Sequence, residues 1–450
     1  MQTAVLKFGG STINSEQKLD TACSTVGYFI DEGYKVVAVF SAFRGVTDTL
    51  RNTLGRIGDP NFDECFSECV QGIRKYCPHS IEGLSEDLYK ELKYFIKSGK
   101  SPWKRDEIEV KGERLASRIS IDRLRAYGIY TELIDFGDTR SPLKVLGDYG
   151  NARVDLARTK EACQKLKENL ELVDCVCLPG YGGEDVDSNR VKTLRRGGSD
   201  IVATALSYGL SADALWIITD INGIKRAFTD NIRNPPTIPV LTVNEIRDAG
   251  MYGAKLPNEN AVDPLMKHCP KKTYIAKFDD IEGEKTRVVI SKDREEMNPV
   301  ELVASRVVIV YTFEGTNLHM KVSSLENELG KKHIDFKSLG GSDYTRGIAI
   351  PPDQRSYVDK VIKENYPNVD ISKSKEALVG IVGEGMKYEP GTIVQRLGTA
   401  LKERNIAAHN QTDLFSPISC GVTIDAENEK SLVESLYDEF GLDKLRYPRL

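Results

Sequence analysis

Thr3-Ala4-Val5-Leu6-Lys7-Phe8-Gly9-Gly10-Ser11-Thr12 is the stretch on which the fold turns. A short apolar run ends in a lysine, two glycines and two hydroxyl residues, and an amphipathic pattern over 15–32 follows: strand, turn, helix. In an open α/β sheet, a lysine at the end of a strand carries its ammonium past the carboxyl edge, where such sheets bind ligands. The two glycines let backbone N–H groups approach phosphate oxygens, and the next helix adds its positive N-terminal end. Taken alone, the same motif is also a plain βα turn with a surface lysine.

Outward from that turn the pattern repeats. Residues 3–8, 35–40, 129–135, 172–178, 214–219 and 273–278 read as buried strands, and 15–32, 112–127, 157–169, 199–209, 242–251 and 258–268 as helices. Strands alternating with helices predict a three-layer αβα domain with a mainly parallel central sheet. Residues 60–100 read as a polar helical insertion. A charged stretch over 279–296 reads as a linker. Beyond it come two similar units: strand 306–312, helix 321–330, strands 333–338 and 347–350, helix 353–365; then strand 377–382, helix 391–404, strands 406–411 and 419–424, helix 427–440. Two βαββα units in tandem are an internal repeat. The domains expected are 1–295, 296–372 and 373–450.

Composition narrows the classes. The chain has 450 residues, with 62 Lys+Arg against 67 Asp+Glu and a net charge of -5, so it carries no overall basic footprint for nucleic acid. No apolar run approaches the roughly 20 residues that span a bilayer, and the first residues leave no room for a signal peptide. Nine cysteines, an odd number without a C-x-x-C pair, argue against a disulfide framework and a thiolate zinc site. A cytoplasmic protein, binding neither nucleic acid nor membrane, is expected.

Further motifs sit at strand ends. Pro179-Gly180-Tyr181-Gly182-Gly183 follows an apolar strand, and Arg195-Arg196-Gly197-Gly198-Ser199-Asp200 opens a helix that Ser199 or Asp200 can cap. Arg196 offers a bidentate fork for a carboxylate. Thr219-Asp220-Ile221-Asn222-Gly223-Ile224 is either a nucleotide turn or Asn-Gly turn chemistry. Gly253-Ala254-Lys255 offers a second lysine at a loop–helix junction. Cys175-x-Cys177 reads as packed rather than catalytic. The chain contains no G-x-x-x-x-G-K-[ST] phosphate loop, no G-x-G-x-x-G after the first strand and no G-x-S-x-G elbow.

Together, Lys7-Phe8-Gly9-Gly10-Ser11-Thr12, Ser41-Ala42-Phe43-Arg44-Gly45-Val46-Thr47-Asp48, Gly112-Glu113-Arg114-Leu115, Arg196-Gly197-Gly198-Ser199-Asp200, Thr219-Asp220-Ile221-Asn222-Gly223-Ile224 and Gly253-Ala254-Lys255 resemble the aspartate kinases of the amino-acid kinase superfamily. Val382-Gly383-Glu384-Gly385-Met386 with Pro390-Gly391 resembles the second of that family's two ACT domains. The chain departs from the family pattern at Ser11-Thr12, Arg195, Phe228-Thr229-Asp230, Leu256-Pro257-Asn258 and 410–415.

The resemblance implies an amino-acid-kinase-like domain followed by two ferredoxin-like (βαββαβ) ACT domains. It also implies transfer of the ATP γ-phosphoryl group to the side-chain carboxylate of L-aspartate, with Mg2+ held mainly by the ATP phosphates rather than by protein ligands. By similarity Lys7, Asp200 and Lys255 are catalytic. Ser41, Thr47, Glu113, Tyr181, Arg196 and Ser199 surround aspartate. Lys7, Gly9, Gly10, Thr219, Asp220, Lys225 and Lys255 line the nucleotide. A homodimer or larger homo-oligomer and an amino-acid effector at the ACT domains follow from the same likeness. Two other readings remain: an amino-acid kinase for a different acceptor (glutamate, acetylglutamate, carbamate or a nucleoside monophosphate), or a silent kinase-like sensor.

Overall fold

The computed structural model describes residues 2–56, 62–77, 82–194, 197–227, 230–254, 261–291, 298–316, 318–331, 334–342, 344–412 and 416–444. By its internal contacts the chain divides into two units. The first comprises Met1–Gly223 and Asn260–Val288, the second Ile224–Glu259 and Val289–Leu450.

The first unit is built on β1 (Gln2–Phe8), β2 (Tyr34–Phe40) and β3 (Thr131–Leu133). A small side sheet holds β4 (Lys144–Asp148) and β5 (Asn151–Val154). After β6 (Cys175–Pro179), that side sheet is completed by β7 (Gly182–Asp185) and β8 (Val191–Thr193), in the order β5-β4-β7-β8. Its helices are α1 (Glu16–Asp31), α2 (Val46–Arg56), α3 (Phe62–Tyr76), α4 (Glu82–Lys97), α5 (Pro102–Glu109), α6 (Lys111–Ala126), α7 (Leu156–Leu172) and α8 (Gly198–Leu210). β9 (Ala214–Thr219) closes this run. The second unit contributes β10 (Val240–Thr242) and α9 (Val243–Met251) before the chain re-enters the first as α10 (Val262–Lys267), β11 (Lys272–Lys277) and β12 (Asp280–Val289).

In the main sheet β11, β9, β1, β2, β6 and β3 run parallel in that order, and β12 pairs antiparallel on β11. Parallel strands are buried on both faces, which explains continuous runs such as Tyr34-Lys35-Val36-Val37-Ala38-Val39-Phe40. Side-chain alternation along β1 then matters for function. Ala4, Leu6 and Phe8 join the core shared with α1 and α6. Lys7, one register step away, points to the opposite face, the face of α8.

Local chemistry sets the helix starts. Ser15 caps α1 by accepting from the Lys18 amide, and Asp155 caps α7 through the Arg158 amide. α8 is different: Gly197, with φ of 79°, takes the cap position, while Ser199 and Asp200 lie in the first turn and do not cap it. Two other expectations change. Residues 280–289, read as linker, form β12, because an antiparallel strand needs only one buried face and Thr286 and Val288 supply it. The insertion over 60–100 supplies Cys69, Ile73, Leu88, Leu92 and Phe95 to the main core rather than lying on it as a polar addition. None of the nine cysteines is in a disulfide, and Cys175 and Cys177 lie side by side and buried.

The tandem repeat of the second unit is β13 (Leu302–Glu314), α11 (Leu318–Lys331), β14 (Lys337–Leu339), β15 (Thr345–Ile350) and α12 (Arg355–Asn365), then β16 (Asp370–Val382), α13 (Pro390–Glu403), β17 (Asn410–Thr412), β18 (Ser419–Asp425) and α14 (Glu429–Glu439). The two repeats share one sheet, β14-β15-β13-β16-β18-β17. β13 and β16 pair antiparallel from Leu302↔Val382 to Glu314↔Asp370. Each repeat keeps its own core, one around Tyr311, Leu325 and Val358, the other around Val379, Ile393 and Leu432. This is the ferredoxin-like pairing expected of two ACT units.

α9 is held on that sheet by the residue after it. Tyr252 is fully buried, its hydroxyl 2.7 Å from Thr412 Oγ1. Its ring lies over Gly380 of β16 and Gly421 of β18, where a Cβ on Gly380 would come within 2.2 Å of the ring. Gly380→Ala is expected to destabilise the second unit by about 1–3 kcal/mol, because the ring has nowhere to go. Chemical denaturation measures it, and an unchanged midpoint would show that the ring is free to move.

Candidate functional site

At the carboxyl ends of β1, β2, β6 and β9 the first unit opens into a cleft of about 320 Å³, ample for a small amino acid beside a phosphoryl group. Lys7, Gly10, Ser41, Thr47, Glu113, Tyr181, Ser199 and Asp220 line it together with Arg44, Asp48 and Arg51. The turn after β1 lies tight against the turn after β2. The Arg44 amide donates to Gly10 O at 3.2 Å, and a Cβ on Gly10 would fall 2.1 Å from Ala42 O. Only glycine admits that approach.

Lys7 Nζ stands 2.6 Å from Asp200 Oδ1, with both side chains nearly buried. Two features of the sequence produce this pair: alternation along β1 turns Lys7 toward α8, and the start of α8 at Gly197 brings Asp200 into its first turn. A desolvated ion pair of this kind fixes the ammonium in place. Gly9 lies beside it; a Cβ there would sit 3.7 Å from Lys7 Nζ.

Glu113 forms the opposite wall, at the start of α6. It is buried, Thr47 Oγ1 donates to its Oε1 at 3.3 Å, and its Oε2 has no hydrogen-bond partner among the described residues. Burial pushes its carboxyl up to about 8, against the pull of the Glu113 and Ala42 amides, the Thr47 hydroxyl and the Arg51 charge. A buried, half-used carboxylate of this kind is complementary to a cationic donor on a ligand.

Tyr181 adopts φ of 70° in the turn after β6 and is almost fully buried. Its hydroxyl donates to Glu109 Oε2 at 2.9 Å and accepts from Arg51 Nη2. Arg51 Nε donates to the same carboxylate oxygen at 3.0 Å, and Arg105 Nε to Glu109 Oε1 at 2.9 Å. Burial alone would raise the Glu109 carboxyl, but these three partners hold it below the ordinary range.

Not every expected residue is in this cleft. Thr219 ends β9 beside Asp220 and donates to its carboxylate at 3.3 Å. Lys225 belongs to the second unit, where its Nζ meets Thr237 Oγ1 at 2.6 Å. Arg196 and Lys255 lie outside the described residues, as do Arg195, Phe228-Thr229, Leu256-Pro257-Asn258 and Asp413-Leu414-Phe415.

Sequence reasoning missed Arg51, Glu109 and Asp106. Asp106, fully buried in α5, accepts from the Gly150 and Thr193 amides at 2.8 Å each and so ties down the end of β8, a few residues before Gly197. A usable signal for Arg51 existed: it stands four residues after Thr47, on the same face of α2. Among the described residues no helix is long and apolar enough to cross a membrane.

Comparison with known proteins adds to this geometry. The model of the amino acid kinase family matches residues 2–277. Aspartokinase 3 of Bacillus subtilis is 25% identical over 463 residues, covering 97% of this chain and 98% of that protein. The aspartate kinase of Pseudomonas fluorescens is 22% identical over 465 residues, covering 98% of each. Among solved structures, E. coli aspartokinase III in complex with aspartate and ADP superposes with a TM-score of 0.82 at 18% identity, covering 97% of this chain and 99% of that one. The same enzyme with lysine and aspartate, in its T-state, gives 0.72 and covers 98% and 100%.

Proposed function

The chain belongs to the amino acid kinase family, and from that premise we propose that it is an aspartate kinase, transferring the γ-phosphoryl group of ATP to the side-chain carboxylate of L-aspartate to give 4-phospho-L-aspartate and ADP. The observation that carries the reading is one cleft with a fixed lysine on one wall and a half-used buried carboxylate on the other. The first suits a phosphoryl group and the second an α-ammonium. Full-length likeness to enzymes named aspartokinase supports the choice of acceptor.

A side-chain carboxylate is ionised at pH 7, so it attacks without a general base. What the reaction requires is approach of two anions, with the phosphoryl charge neutralised by preorganised donors. In this proposal Lys7 meets the transferring group and Asp200 holds Lys7. Gly9 and Gly10 let the backbone come close to the phosphates, with the Gly10 amide as the donor, the Gly9 amide being bonded to Ile218 O at 3.2 Å. Glu113 takes the α-amine, Arg196 the α-carboxylate, and Ser41, Thr47, Tyr181 and Ser199 close round the substrate. Thr219, Asp220, Lys225 and Lys255 serve the nucleotide. Mg2+ arrives on the triphosphate, and the carboxylates of Asp48 and Asp220 on the cleft wall are the donor class it prefers. Bound, it neutralises phosphate charge.

The proposal extends to the rest of the chain: a catalytic domain over 1–295 and ACT-like units over 296–372 and 373–450. The E. coli relative bound to lysine supports an amino-acid effector at those units. A cytoplasmic homo-oligomer acting in the first step towards lysine, threonine and methionine completes it. The test is direct: protein, Mg-ATP, hydroxylamine and each candidate carboxylate in turn. Hydroxamate from aspartate alone is the expected result. Hydroxamate only from another carboxylate would assign a different amino-acid kinase, and none from any would leave a kinase for a nucleoside monophosphate or a sensor, which release of ADP with that acceptor tells apart.

A further inference from the structure

Lys18 stands where helix physics disfavours it. It is the third residue of α1, and the first turn of a helix carries the positive end of the macrodipole, which repels an ammonium. No ion pair offsets that cost among the described residues. Neutral groups hold the side chain instead. Its Nζ donates to Ser11 O at 2.7 Å and to Asn14 Oδ1 at 3.0 Å, and lies 5.3 Å from the centroid of the Phe278 ring. The two ends of this grip lead to different walls of the cleft. Ser11 lines it in the turn after β1. Phe278 follows β11, and its amide donates at 2.9 Å to the carbonyl of Thr219, the residue before Asp220 on the cleft wall. A side chain that breaks a local rule without a local gain points to a role elsewhere.

We propose that Lys18 is a positioning residue for the nucleotide side of the cleft, tying the turn after β1 to the end of β9 by way of Phe278. This rests on the reading above, in which phosphates lie against Gly10 and the nucleotide runs along Thr219 and Asp220. A backbone carbonyl in a phosphate-binding turn opposes the anion. The ammonium holds Ser11 O by a charge-assisted hydrogen bond and offsets its partial negative charge. Because no carboxylate neutralises Lys18 among the described residues, its own charge also reaches the turn and favours an anion there. The amino-acid side of the cleft, around Glu113 and Tyr181, is not part of this tie.

The experiment compares wild type, Lys18→Met and Lys18→Arg in the hydroxylamine assay, varying ATP and then aspartate, and titrates each protein with Mg-ADP by calorimetry. Lys18→Met keeps the stem and removes the ammonium. Its KM for ATP and its Kd for Mg-ADP are expected to rise roughly 10-fold, the lower end of what a charge-assisted hydrogen bond is worth. Its KM for aspartate should move by no more than about twofold, and Lys18→Arg should recover most of the nucleotide affinity. Unchanged nucleotide affinity in Lys18→Met, or KM values for ATP and aspartate raised alike, would overturn the proposal and leave Lys18 as a support of α1 alone. Should wild type make no hydroxamate from aspartate, the aspartate reading falls separately, and the Mg-ADP titration still judges Lys18. Wild type that binds no Mg-ADP would overturn both. Far-ultraviolet circular dichroism checks that each variant is folded.

Discussion

Lys7→Ala is expected to lower kcat by a factor on the order of 10²–10³, the cost of removing one preorganised donor from a developing charge. The loss should fall on kcat more than on the KM for aspartate, because the ammonium serves the transferring group rather than the amino-acid end of the cleft. Asp200→Asn is the companion. It leaves the ammonium but removes the partner at 2.6 Å, so turnover drops because Lys7 is no longer held. Both variants retain the buried strands around β1, and circular dichroism should report a folded chain. Near-normal turnover by folded Lys7→Ala would remove the lysine from the chemistry.

Glu113→Gln should produce the second large effect, with a pH signature. The substrate α-ammonium favours the ionised carboxylate, whereas burial pushes the empty site's carboxyl up to about 8. Binding near neutral pH therefore expels a proton, and KM for aspartate is expected to fall as pH rises towards 8. Glu113→Gln removes the charge, so KM rises roughly 10- to 100-fold at pH 8.5 and loses this slope. Stability should move the other way. The folded value lies above the ordinary carboxyl value of 4.5, so the folded state binds the proton more tightly over that interval. The wild type's stability contribution is thus present at low pH and lost as pH climbs through that window. Glu113→Gln escapes the loss, and denaturation at pH 5 and pH 8.5 measures the difference. Parallel pH profiles for the two proteins would contradict the assignment.

Much of this was legible in local sequence, for identifiable reasons. Ala4-Val5-Leu6 before Lys7 is apolar and Gly9-Gly10 follows soon after it, so strand, turn and helix follow from neighbours alone. The tandem repeat was visible because its strands and helices recur in the same order. β12 escaped because Glu282-Gly283-Glu284-Lys285 carries the charge of a linker, and a strand antiparallel to β11 shows only alternate buried positions. The Tyr181–Glu109–Arg51 network escaped for another reason: Arg51 and Tyr181 stand 58 and 72 residues from Glu109, and no local pattern records a contact made by tertiary packing. The placing of Tyr252 over Gly380 and Gly421 has the same origin; each glycine alone reads only as a weak point in a strand.

The cleft's central claim is that a carboxylate oxygen of aspartate becomes bonded to phosphorus. Aspartate labelled with ¹⁸O in its side-chain carboxylate, incubated with the protein, Mg-ATP and hydroxylamine, tests it through the mass of the phosphate released. Attack of hydroxylamine at the acyl carbon should leave one labelled oxygen on each phosphate formed. Unlabelled phosphate accumulating in step with ADP would mean that water or another group is the acceptor.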